Sequence, residues 1–365
     1  MFTWLYKKIF RPIFFKIDPE KIHHLVVWGL SWTSRIKPAY LLVKKICWVS
    51  DPSLRVKLGN LNLDNPVGLP AGFDKNIEAP LAYPMLGFGF AELGSVTSQA
   101  QPGNPKPRLW RIPKDQGLIV YYGLSSQGAD KIAEKLKKMA KHPIPFGVSI
   151  APTTGLELKD MAEDYLKTFL KVYPYADYVT LNVSCPNVAA CDVFAQVSFI
   201  GELLGKLRKL MDEKKIQKDI FIKIGPHFTD QELDEVIKFS LDNKITGVVA
   251  TNLVKNRKGV DFKSSAQELD HPGGVSGRFM SEKSNQVISY LYKKSQGRLQ
   301  IIGVGGIYTA EDAYKKIKAG ATAVQLVTGF IYGGPLTIRD ISRGLVQLIK
   351  KDGFKNISEA VGKNI

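Results

Sequence analysis

The chain has 365 residues and three cysteines, and its 51 lysines and arginines outnumber its 34 aspartates and glutamates, for a formal charge of +17. A (β/α)8 barrel of about 250 residues with a small appendage fits this length, and three cysteines exclude a fully paired disulfide framework. The lysines are scattered along predicted outer helix faces, which indicates a solvated surface, and no nucleic-acid groove is expected.

The first 50 residues mix aromatic and cationic side chains, among them Trp4, Trp28 and Trp32. Lysine, arginine, histidine or proline interrupts every apolar run before it reaches the roughly 18 residues that a spanning helix needs. Apolar rings on one face and cations on the other favour a helix that lies in the membrane interface. The alternative is a pair of helices packed on the main domain. We therefore expect an amphipathic extension at 1–50 and a main domain at 51–365.

From residue 65 onward, short apolar runs alternate with longer amphipathic ones, which is typical of parallel βα units. The predicted strands are 66–71, 90–96, 146–150, 178–183, 220–224, 247–251, 301–304 and 323–327. Helical patterns between them cover 130–139, 161–172, 199–211, 231–241, 285–294 and 310–319. Eight such units predict an α/β fold, the (β/α)8 TIM barrel, with function at the carboxyl ends of the strands.

The fourth predicted strand ends in the segment 182–187, which reads Asn-Val-Ser-Cys-Pro-Asn. Pro186 cannot continue a central strand, so Cys185 is expected where the strand opens into a loop that a substrate can reach. The alternative is an inert cysteine in the core. The flanking amides of Asn182 and Asn187 favour a chemical role, because an amide can both donate and accept hydrogen bonds.

Two further strand ends and one strand interior predict anion binding. The loops 305–306 and 328–329 follow the seventh and eighth strands, where barrels often hold a phosphate; tight strand-to-helix packing is the alternative. Lys223 lies in the apolar strand 221–224 and must point into the barrel, so it requires an anionic partner. That partner is either a structural carboxylate or a flavin ring, which becomes negative on reduction.

Six motifs together resemble the dihydroorotate dehydrogenase family, and the resemblance runs from about residue 18 to residue 350. In chain order the motifs lie at 71–75, 102–108, 182–187, 251–252, 273–278 and 302–307. The segment Asp-Pro-Glu-Lys-Ile-His at 18–23 is similar to the extension of the membrane-associated, quinone-using class of this family. No single motif is specific, whereas their occurrence in this order is.

The resemblance implies a barrel that holds FMN and is capped by two N-terminal helices, between which quinone reaches the flavin. It also implies that dihydroorotate is oxidised to orotate, with the C5 proton passing to a base and the C6 hydride to flavin N5. Cys185 occupies the base position. The implied FMN contacts are Ala71, Gly72, Ser95, Ser149, Asn182, Lys223, Thr251, Gly277, Gly306, Val327 and Thr328. The implied substrate contacts are Lys75, Asn182, Asn187 and Asn252.

The same resemblance sets the expected partners and location. The partners are dihydroorotate or a similar small ring and a quinone, and no metal site is expected. The class implies peripheral association with a membrane, at the cytoplasmic face of the inner membrane if the source is bacterial.

The chain departs from the family pattern at three places. Quinone-using members usually have serine at the base position, whereas Cys185 matches the soluble class. The family loop Asn-x-x-Gly-Phe-Asn-Asn reads Val-Tyr-Tyr-Gly-Leu-Ser-Ser at 120–126, so the substrate amide expected at Val120 is lost. The strand-three asparagine near the flavin is Ser149, and 188–192 replaces a glycine-containing loop. These changes gather on the substrate side.

The leading interpretation is a flavin oxidoreductase that oxidises dihydroorotate and reduces quinone. Alternatives are an FMN-dependent paralogue acting on another dihydropyrimidine or a cyclic enone, and a non-catalytic FMN-binding membrane protein. A tRNA dihydrouridine synthase has a similar FMN barrel and an Asn-x-x-Cys-Pro loop, but Asn187, the segment 273–278 and the N-terminal position of the extension argue against it.

Overall fold

The computed structural model describes residues 2–139, 141–184 and 193–364, so Cys185 and Asn187 lie outside it. The chain begins with α1 Phe2–Leu5, a π-helical turn Tyr6–Phe10, α2 Arg11–Lys16, α3 Pro19–Arg35 and α4 Lys37–Cys47. Asp18 caps α3, because its carboxylate accepts a hydrogen bond from the Lys21 N–H at 2.9 Å. Pro19 follows at the first helical position, which needs no N–H donor.

Strands and helices alternate through the rest of the described chain. The strands are β1 Val56–Leu58, β2 Leu61–Leu63, β3 Val67–Leu69, β4 Phe90–Val96, β5 Leu109–Ile112, β6 Gly117–Val120, β7 Phe146–Ile150, β8 Tyr178–Asn182, β9 Asp219–Ile224, β10 Gly247–Ala250, β11 Gly274–Ser276, β12 Gln300–Val304 and β13 Ala323–Gln325. The helices are α5 Ala82–Met85, α6 Ala129–Lys138, α7 Leu158–Val172, α8 Val193–Glu213, α9 Asp230–Asp242, α10 Ala266–Leu269, α11 Met280–Ser295, α12 Ala310–Lys318, α13 Thr328–Gly333 and α14 Thr337–Lys351.

Parallel strands close into a barrel in the order β3, β4, β7, β8, β9, β10, β12 and β13. The pairing of Val324 with Val67 joins the last strand to the first. Strands β7, β8 and β9 are buried along their whole length, as expected of parallel strands covered on both faces, which explains their nearly continuous apolar sequences. The predicted TIM barrel is confirmed, and each predicted strand is present with ends within two residues of the expected ones.

Two small sheets that the apolar periodicity does not predict cover the ends of the barrel. The β1–β2 hairpin lies at the amino ends of the strands, where the Asn60 N–H donates to the carboxylate of Asp219, the first residue of β9, at 2.7 Å. The antiparallel sheet β5–β6–β11 lies at the carboxyl ends and pairs Val120 with Gly274. This second sheet forms a roof over the functional end of the barrel.

The N-terminal helices pack on the barrel and also expose an apolar face. Ile22, Val27 and Cys47 are buried, and α3 contacts α4, α5 and β5. On the outer side, Trp28 and Trp32 are 61% and 57% exposed. Within the described residues, none of the helices combines the length and apolarity that crossing a membrane requires. The contacts of α3 show that the N-terminal helices pack on the main domain. The expectation of membrane association rests on the apolar face that they expose.

Lys316 on α12 is fully buried, and its ammonium donates to Ser284 Oγ at 3.0 Å and to Asn285 Oδ1 at 2.8 Å. Burial lowers the pKa of this amine to about 7 from an ordinary 10.5. Above pH 7 the unfolded chain therefore binds a proton that the folded chain lacks, so raising the pH stabilises the fold through this group, by at most about 1.4 kcal/mol per pH unit.

We expect Lys316→Met to remove this contribution to the pH dependence. Urea unfolding between pH 7 and 9 should show wild-type stability rising relative to that of the variant. Parallel stability curves for the two proteins would contradict the assignment.

Candidate active site

A cavity of about 510 Å³ lies at the carboxyl ends of the barrel strands, beneath the β5–β6–β11 sheet. The predicted site residues that line it are Ala71, Gly72, Lys75, Ser95, Asn182, Lys223, Thr251, Asn252, Gly277, Gly306, Val327 and Thr328. Ser149 lies behind this wall, where its hydroxyl is 2.8 Å from the Ser95 hydroxyl. The structure therefore brings together the predicted residues that it describes.

A continuous chain of hydrogen bonds crosses the floor of the cavity. Asn252 Nδ2 donates to Ser184 Oγ at 2.7 Å, and Ser184 Oγ donates to Asn182 Oδ1 at 3.1 Å. Asn182 Nδ2 donates in turn to Ser95 Oγ at 3.0 Å, and the Ser95 hydroxyl is hydrogen-bonded to the Ser149 hydroxyl. The side chains come from four strands or from the residues that follow them, so their mutual bonds hold the floor in one arrangement.

Lys223 reaches the cavity from β9 and is 5% exposed. Its Nζ lies 3.9 Å from Oε1 of Glu92, a fully buried residue on β4. Burial lowers the pKa of Lys223, and the Glu92 carboxylate opposes that shift. Glu92 Oε2 accepts hydrogen bonds from Thr180 at 3.0 Å and from Gln325 at 3.4 Å. Lys223 thus has a structural carboxylate partner and also faces the cavity. Sequence reasoning missed Glu92, although a carboxylate in the otherwise uncharged run 90–96 was the available signal.

Lys75 supplies a second cation, half-buried in the cavity wall. Its Nζ donates to the Gly72 carbonyl at 2.6 Å and lies 3.7 Å from the centroid of the Tyr122 ring. Burial, reinforced by repulsion from Arg108, lowers the pKa of Lys75 to about 8. Within the described residues Lys75 forms no ion pair with a carboxylate. A bound ligand anion would therefore offset the positive charge of Lys75 and raise its pKa.

An apolar wall replaces the amide that the family pattern places at position 120. Val120 and Leu253 both line the cavity, and Gly274 lies between them. A Cβ on Gly274 would approach the Leu253 Cβ to 2.7 Å, so the glycine allows Leu253 to pack against the roof. This part of the wall presents methyl groups to a ligand.

Glycines shape the wall formed by the loops after β12 and β13. Gly305 and Gly306 have positive φ angles of 110° and 71°, which favour glycine. A Cβ on Gly306 would meet the Ser281 backbone at 2.5 Å, and one on Gly329 would meet the Ile307 carbonyl at 2.0 Å. Close packing against neighbouring backbone therefore requires glycine at both positions, and both residues also line the cavity.

The N-terminal extension contributes to the same site. His23 of α3 lines the cavity, and its ring packs edge-on against Phe73 at 4.9 Å between centroids. Burial, reinforced by repulsion from Lys75, lowers the pKa of His23 to about 3, so the imidazole is neutral at physiological pH. Nearby, the Arg108 guanidinium forms a buried pair with Glu20 of α3, with Nη2 at 2.9 Å from Oε1. These contacts fix the extension to the site.

Comparison with known proteins identifies the family. The sequence model described as dihydroorotate dehydrogenase matches residues 53–349. The chain belongs to the dihydroorotate dehydrogenase family. Among its relatives, dihydroorotate dehydrogenase (quinone) of Gloeobacter violaceus is 38% identical over 355 residues, which cover 97% of this chain and 98% of the relative. The enzyme of the same name from Nostoc punctiforme is 37% identical over 373 residues, covering 99% and 98%.

Solved dihydroorotate dehydrogenase structures share the fold. The enzyme of Eimeria tenella in complex with ferulenol has a TM-score of 0.81 and 31% sequence identity, covering 95% of this chain and 96% of that one. Its ligand-free form has a TM-score of 0.80 and 30% identity, covering 95% and 99%. The similarity of this chain to dihydroorotate dehydrogenases therefore includes the N-terminal helices as well as the barrel.

Proposed function

We propose that this protein oxidises dihydroorotate to orotate with bound FMN and passes the electrons to a quinone. The observation that carries the proposal is the cavity itself, where Lys75, Lys223 and two asparagine amides converge at the strand ends of a dihydroorotate dehydrogenase barrel. Among the described lining residues there are three lysines, the third being Lys255, and no carboxylate. Such a cavity favours ligands that carry several negative charges.

The described residues fit FMN. The cavity of about 510 Å³ lies in the size range of cofactor sites. Gly305, Gly306 and Gly329 line it, and their backbone N–H groups would bind the phosphate. Thr251 Oγ1 is buried without a hydrogen-bond partner in the described structure, so it is available to a ligand. Lys223 would face the part of the flavin that gains negative charge. When bound, FMN supplies the acceptor for the substrate hydride.

The remaining chemistry is assigned to the protein side chains. Lys75 would bind the substrate carboxylate, and the amides of Asn182 and Asn252 would bind polar groups of the ring. Cys185 would accept the C5 proton, with Asn187 as a further ring contact, and both assignments come from the sequence because these residues lie outside the described ranges. The roof and the N-terminal helices would exclude bulk water from the site.

The test is anaerobic reduction of the purified yellow protein. Dihydroorotate should bleach the flavin absorbance, and a short-chain quinone should restore it. If dithionite bleaches the flavin and dihydroorotate does not, the proposed substrate is wrong. The apolar wall of Val120 and Leu253 would then favour the second candidate, an FMN-dependent oxidoreductase acting on a dihydropyrimidine or cyclic enone with fewer polar groups.

A substitution that restores the family amide measures how much orotate affinity the apolar wall removes. We expect Val120→Asn to tighten orotate binding about 10- to 100-fold, because a polar group of the ligand regains a partner in a closed site. Titration of the flavin absorbance with orotate gives the affinity, and Val120→Leu serves as the apolar control. Equal affinities of wild type and Val120→Asn would show that the lost amide is already replaced.

We also propose that residues 1–50 form the membrane and quinone extension and that 51–365 form the FMN barrel. The extension exposes the large apolar side chains Trp4, Ile9, Phe10, Ile13, Ile17, Leu25, Trp28, Trp32, Ile36, Leu41 and Leu42. Its neighbouring lysines, including Lys44 and Lys45, would meet anionic lipid headgroups. The protein would then associate peripherally with a membrane, at its cytoplasmic face in a bacterium.

A sedimentation assay tests this location. Wild-type protein should sediment with anionic vesicles, resist release by salt and be released by detergent. The double variant Trp28→Ser/Trp32→Ser should lose much of this binding, while Leu81→Ser, which removes an exposed leucine outside the extension, should keep it. Equal sedimentation of all three proteins would contradict the proposed surface.

A further inference from the structure

We infer that Ser184 is a positioning residue that sets the direction in which the Asn182 amide faces a substrate ring. The inference rests on the proposed function, since it concerns the donors and acceptors that the same cavity offers. Ser184 is 3% exposed, and its hydroxyl lies between the amides of Asn182 and Asn252.

The direction of the hydrogen-bond chain begins at a backbone group. The Leu253 N–H donates to Asn252 Oδ1 at 2.9 Å, and an N–H cannot act as an acceptor. Asn252 must therefore turn its oxygen toward Leu253 and its Nδ2 toward Ser184, where the N···O distance is 2.7 Å. One backbone proton thus fixes the orientation of the first amide.

Ser184 transmits that orientation to the second amide. Its oxygen accepts from Asn252, and its single proton is then given to Asn182 Oδ1 at 3.1 Å. Asn182 must turn its Nδ2 the other way, toward Ser95 Oγ at 3.0 Å. Without the Ser184 hydroxyl, only the 3.5 Å contact from Asn252 Nδ2 would hold the Asn182 oxygen in place. A 180° rotation of the Asn182 amide would then exchange its nitrogen and oxygen, and the Ser95 hydroxyl could donate to the oxygen instead.

The fixed orientation determines what the cavity offers. Asn182 Nδ2 uses one N–H on Ser95 and keeps the other for a ligand, while Asn252 Nδ2 has only a longer second contact, at 3.5 Å to Asn182 Oδ1. Asn182 therefore presents an N–H donor, and the second N–H of Asn252 is held only by that long contact. Such donors match carbonyl oxygens on a substrate ring. A rotated Asn182 would present an acceptor to the same carbonyl and repel it.

The experiment measures how strongly the protein prefers a ring carbonyl over a thiocarbonyl, which is a weaker acceptor. Calorimetric titration of the FMN-loaded protein with orotate, 2-thioorotate and 4-thioorotate gives two affinity ratios for each variant. We expect Ser184→Ala to reduce at least one ratio about 3- to 10-fold, the size of one lost hydrogen bond. Ser184→Thr retains a hydroxyl and should keep both ratios near those of wild type.

A general loss of packing would weaken all three ligands together and leave the ratios unchanged, so the ratios separate positioning from structural damage. Ratios that are unchanged in Ser184→Ala, or changed equally in Ser184→Thr, would overturn the role of Ser184. Failure of the wild-type protein to bind orotate would instead overturn the proposed function.

Discussion

Arg108→Met is expected to destabilise the protein by about 3 to 5 kcal/mol, because it leaves the Glu20 carboxylate buried without its principal partner. Glu20 and Arg108 are 4% and 8% exposed, and the guanidinium contacts Glu20 through both Nε and Nη2. Its Nη1 also donates to the carbonyls of Pro102 at 2.7 Å and Asn104 at 2.9 Å. One side chain therefore holds together the N-terminal helix α3 and the loop beside the substrate cavity.

The chain offers a matched control at the same carboxylate. Lys106 Nζ lies 3.3 Å from Glu20 Oε1, but its side chain is 64% exposed. Solvent screens such a contact, so Lys106→Met should cost less than about 1 kcal/mol. Urea unfolding followed by tryptophan fluorescence provides the measurement, since Trp48 and Trp110 are partly buried in the folded protein. Similar losses in the two variants would show that burial does not set the strength of this contact.

A double variant separates the pair from the packing around it. In Glu20→Gln/Arg108→Met neither charge remains buried alone, so its loss of stability should be smaller than the sum of the two single losses. Strict additivity would contradict the buried ion pair.

Cys185→Ala is expected to lower the turnover number by about 100- to 10,000-fold, the range supplied by a positioned general base. FMN content and orotate affinity should change little, because the thiol is assigned to proton transfer and not to binding. The rate of flavin reduction by dihydroorotate in a stopped-flow instrument provides the measurement. Unchanged activity in Cys185→Ala would remove this residue from the mechanism.

The pH dependence should contain two opposing contributions. The turnover number should rise with pH as Cys185, with a reference pKa of about 8.5, becomes thiolate. Lys75, whose pKa is lowered to about 8, loses its charge over the same range, so the affinity of the free enzyme for a carboxylate substrate should fall above pH 8. Cys185→Ser should move the rise of the turnover number to higher pH and leave the fall in kcat/KM in place. A fall that also moves in Cys185→Ser would contradict the assignment to Lys75.

The barrel was predictable because each of its strands is a local apolar run bounded by turn residues. The β5–β6–β11 sheet was not, since its strands are short and β6 and β11 are far apart in the chain, so no local period reveals their pairing. For the same reason, the segments 18–23 and 102–108 include Glu20 and Arg108, but nothing in the sequence pairs these two residues, which are 88 positions apart. Local sequence patterns identify helices and strands, whereas contacts between distant segments become visible only in the folded structure.

The site shows the same division. Lys75, Lys223 and the asparagines follow from motifs and from their positions at strand ends. Glu92 lies in no motif, and Ser184 lies inside the motif at 182–187 without a role being expected for it, because the importance of both residues lies in the partners that the barrel places beside them. The altered loop predicted the apolar wall at Val120. The contribution of Leu253 could not be predicted, because it depends on the position of Gly274 in β11 between the two residues.

Residue 253 takes part in the site through two independent features. Its side chain forms part of the apolar wall, while its backbone N–H starts the hydrogen-bond chain that orients Asn252. Mutation can change the first without altering the second, unless the new residue is proline, which has no N–H. The shape of the pocket can therefore diverge among relatives, or be redesigned in the laboratory, while the donor pattern that reads the substrate ring is inherited unchanged.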